Sequence, residues 1–117
     1  MSDLSKEEME RFLHGQLDAW NAGDRDKFFG LYREFSPNGL HIEYVGKPDR
    51  DPWEVLETMW KDHNASMKVE AVKAIINGNE AACYHLNHIT AAGVAIKTME
   101  IYAFKDGKLS IRYFIDN

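Results

Sequence analysis

From Met67 onward the chain alternates apolar and polar residues in four runs, Met67 to Ile76, Ala81 to Thr90, Val94 to Phe104 and Lys108 to Ile115, parted only by short glycine-bearing turns. Period-two alternation over such lengths specifies strands, and connections this short join strands only as antiparallel neighbours. The second half of the chain is therefore read as a meander. A sheet can bury a face only against another layer, so the first half must supply that layer. Its periodicity is helical. Ser5 with Glu8 three residues on makes a capping box, and Met9, Phe12, Leu13, Gln16, Leu17 and Trp20 follow at helical spacing, predicting a helix from Lys6 to Asn21. Gly23 suits a left-handed cap and Asp24 an immediate N-cap, so a second helix carries Phe28, Leu31, Tyr32 and Phe35 on one face. Beyond the Ser36-Pro37-Asn38-Gly39 turn, Leu40 to Val45 reads as a short strand. Asp51, Pro52 and Glu54 open a third helix with Trp53, Leu56, Met59, Trp60 and His63 in one arc, ending near Asn64.

The 117 residues, 44% of them apolar, are expected to form one domain over residues 1–117 with a core that needs no disulfide or structural metal. A net charge of −5 with no basic stretch argues against nucleic acid and anionic membrane as partners. No apolar run approaches the roughly 20 residues of a membrane helix. The single cysteine, Cys83, allows no internal disulfide, and the opening residues are too polar for a signal peptide, so the expected compartment is the cytoplasm. His85 and His88 are three apart on a strand and point to opposite faces, and His41 with Glu43 makes only two ligands. Neither pair is a metal site. No phosphate loop, dinucleotide fingerprint or nucleophile elbow occurs, and no cofactor is expected.

Ala91-Ala92-Gly93 and Lys105-Asp106-Gly107 both place glycine third, where a three-residue hairpin loop wants a left-handed residue. That choice pairs Thr90 with Val94 and Phe104 with Lys108, and sends the even-numbered residues of all three strands to one face. The even face mixes Tyr84, Leu86, Ile96, Tyr102, Phe104 and Phe114 with His88, Thr98, Glu100, Arg112 and Asp116, the composition of a pocket wall. The odd face, with Met99, Ile101, Ile111 and Tyr113, would then be covered by a second subunit, so a homodimer is expected. In this register Tyr84, Glu100 and Arg112 form one row, and Glu100 with Arg112 makes an ion pair that is either structural or substrate-facing. Gln16 interrupts the first helix's apolar stripe. Its amide either faces the pocket or hydrogen-bonds a strand. Trp20, Tyr32 and Trp60 complete the expected wall.

Three helices with an early strand, then four long strands, together with Ala19-Trp20-Asn21-Ala22-Gly23-Asp24 leading into Phe28 to Tyr32 and the ending Arg112-Tyr113-Phe114-Ile115-Asp116, resemble the SnoaL-like branch of the nuclear transport factor 2-like superfamily. The resemblance implies an α+β fold, a cone-shaped curved antiparallel sheet wrapped around the helices as in cystatin-like proteins, with a pocket open at one end and dimerisation through the sheet. It also implies a wide choice of functions, from polyketide cyclases and ketosteroid isomerases to noncatalytic binding domains. Matched to the ketosteroid isomerase pattern, the proton-shuttling carboxylate falls at Glu43 and the oxyanion-hole acid at Glu100, while Gln16 stands where that family has tyrosine. Arg112 beside Glu100 would oppose the protonated state an oxyanion donor needs. Strand parity offers the other outcome for Glu43, with Leu40, Ile42 and Tyr44 buried instead. The leading expectation is a pocket for a small apolar or polar-aromatic carbonyl or cyclic compound, with cofactor-free acid–base chemistry from Glu43, His88 or Asp116. The rival is a noncatalytic ligand-binding or dimerisation domain.

Overall fold

The computed structural model describes residues 4–116; the chain's first three residues and Asn117 lie outside the described residues. Three helices, α1 (Lys6–Ala22), α2 (Arg25–Phe35) and α3 (Pro52–His63), cover one face of a curved five-stranded sheet, an α+β arrangement. The strands are β1 (Gly39–Tyr44), β2 (Met67–Asn77), β3 (Glu80–Ile89), β4 (Val94–Lys105) and β5 (Lys108–Ile115).

Local chemistry starts and stops each helix. At the head of α1 the Ser5 hydroxyl accepts from Glu8 N at 3.1 Å and the Glu8 carboxylate accepts from Ser5 N at 3.0 Å. Gly23, at φ 70°, ends α1, and Asp24 at once caps α2 by accepting from Lys27 N. Asp51 caps α3 in the same way through Glu54 N. No helix among the described residues is long and apolar enough to cross a membrane.

The strand order is β1-β5-β4-β3-β2, and β1 runs parallel to β5 while the other pairs are antiparallel. The expected curved antiparallel sheet is present in β2 to β5, and β1 adds one parallel pairing that makes the sheet mixed. Between Ala71 and Lys73 the β2–β3 register shifts at a bulge, a feature that bends a strand and increases sheet twist. As an edge strand β2 has free backbone groups. The Asn21 amide takes both polar groups of Val69, each at 2.8 Å, and Trp20 Nε1 donates to Met67 O at 3.0 Å, tying the end of α1 to that edge.

Both hairpin registers differ from expectation by one residue. Asp106 and Gly107 both have positive φ, 55° and 73°, forming a two-residue loop closed by Lys105 and Lys108. Between β3 and β4 the loop has four residues, 90–93, and Ile89 pairs with Val94. Paired residues share a face, so a slip of one flips the neighbouring strand. The inner face is made by odd residues of β3, even residues of β4 and odd residues of β5, as the buried Cys83, His85, Glu100, Tyr102, Ile111 and Tyr113 show. Ile111, expected at a subunit interface, is fully buried in the core.

Candidate functional site

Between the helices and the sheet lies a cavity of about 260 Å³. That is close to the lower end of small-molecule pockets, roughly 300–1,000 Å³. Its sheet wall carries a buried polar cluster centred on Glu100, which is 5% exposed. Tyr102 donates its hydroxyl to Glu100 Oε1 at 2.5 Å, and Thr98 donates to Glu100 Oε2 at 2.8 Å. His85 Nδ1 stands 2.9 Å from Glu100 Oε2 and donates to it in the tautomer that carries its proton on Nδ1. Asn87 donates to the Thr98 hydroxyl at 3.1 Å and to Ile96 O at 3.0 Å, so the Thr98 proton is left to face Glu100. Every buried side-chain N and O among the described residues is satisfied. His85 Nε2 has no such partner among them, so it opens onto the cavity that His85 lines. On the helix side Gln16, 4% exposed, accepts from the Tyr32 hydroxyl at 3.2 Å.

Burial, followed by the negative charge of Glu100, holds the phenols of Tyr32 and Tyr102 well above the ordinary tyrosine value, and the same two causes push Tyr44 up to about 12. For Tyr113 burial again leads, followed by Tyr32 and then Glu100. Burial and then the charge of Glu100 push the Cys83 thiol up to about 12. These groups ionise more readily in the unfolded chain, where tyrosine titrates near pH ~10, so the stability they contribute is complete below that pH and is lost above it. Alkaline unfolding is therefore expected as pH rises through about 10 to 12, phenolate absorbance appearing together with loss of the far-ultraviolet circular dichroism. Phenolate absorbance from more than one tyrosine while the dichroism is still native would overturn this.

The residues singled out from sequence divide by face. Gln16, Trp20, Tyr32, Glu100 and Tyr102 line the cavity. Trp60 packs edge-on against Trp20, ring centroids 5.3 Å apart, without lining it. Six others, Arg112 among them, lie on the outer face or beyond the strand, contrary to the expected placement. Glu43 pairs there with Arg112 at 3.1 Å, His88 pairs with Glu70 at 2.9 Å, and Tyr84 sits opposite Met99. Phe114 is 38% exposed beneath the Arg112 guanidinium, 5.2 Å from its ring centroid. Asp116 is exposed, its backbone N donating to Lys97 O at 3.0 Å. The expected row of Tyr84, Glu100 and Arg112 is dissolved: Glu100 pairs with Cys83 and Tyr113, and Arg112 with Ile101 and Glu43. His85, Asn87 and Tyr113 were missed as cavity residues, because the assumed loops assigned odd positions to the outside. Asp106-Gly107, the favoured pair for a two-residue turn, was the available signal that β5 should be flipped.

No family model and no curated protein matches the sequence. Solved structures do match. A protein of unknown function with a cystatin-like fold from Methylobium petroleophilum aligns at TM-score 0.76 and 18% identity, over 99% of this chain and 80% of that one. An NTF2-like protein of unknown function from Cytophaga hutchinsonii aligns at TM-score 0.67 and 14% identity, over 92% and 88%. A protein provisionally described as a polyketide cyclase, from Sinorhizobium meliloti, aligns at TM-score 0.66 and 16% identity, over 92% and 98%. The chain has the nuclear transport factor 2-like, cystatin-like fold that the sequence resemblance implies. At these identities the likeness is one of fold, and function has to be argued from the cavity.

Proposed function

We propose that the cavity binds a small, mainly apolar cyclic or carbonyl compound and that His85 moves a proton on it without a cofactor. The observation that carries this reading is His85 itself, 3% exposed, held through Nδ1 by Glu100 and presenting Nε2 to the cavity. An imidazole held this way offers Nε2 as a proton acceptor. Nε2 takes a proton from the carbon beside a carbonyl, the electron pair moves to the carbonyl oxygen, and Glu100 stabilises the imidazolium that forms. The Gln16 amide can donate to that oxygen. Returning the proton to another atom of the same molecule completes an isomerisation or cyclisation, and returning it to a departing hydroxyl completes a dehydration.

The noncatalytic reading has its own support, since three donors already converge on Glu100, the one acid lining the cavity among the described residues. Deuterium exchange decides between the two. Small alicyclic and aromatic ketones are screened by thermal shift, because a ligand that binds only the folded state raises its melting temperature. The protein is then expected to speed exchange of the bound ketone's α-protons in heavy water, and His85→Asn to slow it by about 100-fold or more with binding retained. Binding with exchange no faster than in buffer would establish the noncatalytic reading, and a screen with no binder would overturn both.

The outer sheet face supports a second copy of the chain as partner. Ile75, Met99 and Phe114 are 57%, 46% and 38% exposed and share their face with Tyr84, Leu86 and Ile101, an exposed apolar patch of the kind that marks protein–protein contact. Light scattering at micromolar concentration is expected to give a dimer, and Ile101→Glu a monomer of unchanged fold. A monomer from the unaltered protein would overturn this.

A further inference from the structure

The cavity has a one-sided charge inventory. Among the described residues Glu100 is the only acid that lines it, no lysine or arginine does, and the basic side chains are His85 and, at its exposed edge, His63. A third of its lining residues are aromatic, Trp20, Phe28, Tyr32, Tyr44, Tyr102 and Tyr113. When His85 presents a bare Nε2, as the proposed proton transfer requires, the charge on Glu100 has no cation opposite it. Its field reaches the wall, where after burial it is the next cause opposing ionisation of Tyr32, Tyr44 and Tyr102.

Aromatic faces attract cations through their quadrupole, most strongly where water is excluded. A buried carboxylate adds a second attraction that the low dielectric of the interior strengthens. A weakly hydrated organic ammonium loses little on leaving water and gains both. A neutral molecule of the same shape gains only apolar contact, and an anion meets Glu100 with no lysine or arginine to receive it.

Resting on the reading of this cavity as a ligand site, we infer that its preferred ligand is a small organic ammonium compound, held by the aromatic wall and the Glu100 carboxylate. The proton moved by His85 then belongs to a cyclic or carbonyl compound that also carries an amine. Carboxylated compounds are excluded from the cavity.

A series of equal shape and different charge tests this: choline, its neutral carbon isostere neohexyl alcohol, and the anionic tert-butylacetate, each titrated calorimetrically against the unaltered protein. Choline is expected to bind about tenfold or more tightly than the alcohol, and tert-butylacetate to show no binding. Glu100→Gln is expected to bring choline and the alcohol to within about threefold of each other. An alcohol that binds as tightly as choline, or a carboxylate that binds best, overturns the inference and leaves the ligand site standing. A preference unchanged in Glu100→Gln overturns the role given to Glu100, and if that variant fails to fold the series on the unaltered protein decides alone. Silence from all three compounds also overturns the inference, whereas failure of the cavity as a ligand site is read separately, from the ketone screen.

Discussion

Replacing Glu100 with leucine is expected to lower stability by about 3–5 kcal/mol and the melting temperature by roughly 12–20 °C. Leucine keeps most of the side-chain volume, so the loss reports the polar cluster rather than a void. Thr98, Tyr102 and His85 each lose the acceptor they reach at 2.8, 2.5 and 2.9 Å. A buried donor left without a partner costs about 1–3 kcal/mol. The double change with His85→Leu removes one orphan and should lose less than the sum of the single changes by at least about 1 kcal/mol. Glu43→Gln is the contrast. Its partner Arg112 is 49% exposed at the side chain and Glu43 31%, so breaking that pair should cost less than about 1 kcal/mol. Chemical unfolding followed by circular dichroism measures all four variants. Additive losses at Glu100 and His85, or a Glu100→Leu protein as stable as the parent, would show that the cluster is not one network.

The difference between those two acids marks where sequence reasoning succeeds. Glu100 was expected on the inner face of β4, and it is there, because the alternation of Thr98, Glu100, Tyr102 and Phe104 puts the heavier aromatic residues with it. Helix faces were equally legible. A helix carries its own period and its own caps, so the apolar stripes of α1 and α2 aimed Gln16, Trp20 and Tyr32 at the sheet once Ser5, Glu8, Gly23 and Asp24 had marked the helix ends. Strand faces relative to a neighbour carry no such local information. They depend on loop length, and Lys105-Asp106-Gly107-Lys108 reads as a three-residue loop or a two-residue one with glycine in a left-handed position either way. One residue of difference exchanged His88 for His85 and Arg112 for Tyr113 in the cavity wall.

The pairing of β1 with β5 was illegible for another reason. It joins Gly39–Tyr44 to the last strand across most of the chain, and its parallel sense follows from α3 and the meander lying between them. Once that pairing exists, Ile42 faces inward against the core and Glu43 must face outward beside Arg112. The resemblance to ketosteroid isomerases matched Glu43 by position in the chain, whereas the pleat decides where its carboxylate goes. The proton transfer proposed for the cavity therefore falls to a residue that position matching did not select. His85 differs from His88 only in strand parity.

Phe12→Ala is expected to be as damaging as any single truncation in this protein, about 3–5 kcal/mol with a melting temperature lower by roughly 12–20 °C. Phe12 is 0% exposed, and its ring centroid lies 5.0 Å from Tyr32, 5.2 Å from Phe35, 5.7 Å from Phe104 and 6.0 Å from Tyr102. The truncation leaves a void lined by four rigid rings that cannot collapse together, so the cavity penalty adds to the lost burial. Phe12→Leu leaves a smaller void and should cost about half as much. Two of those rings also hold the site: Tyr32 donates to Gln16 and Tyr102 donates to Glu100. Loosening them should weaken binding of any cavity ligand by about tenfold while leaving the exposed pairs Arg112–Glu43 and His88–Glu70 untouched. Thermal unfolding with and without ligand separates the two effects. A Phe12→Ala protein destabilised as expected but binding ligand as tightly as the parent would show that the helix–sheet core and the polar cluster are independent, and that the cavity wall is positioned by the strands alone.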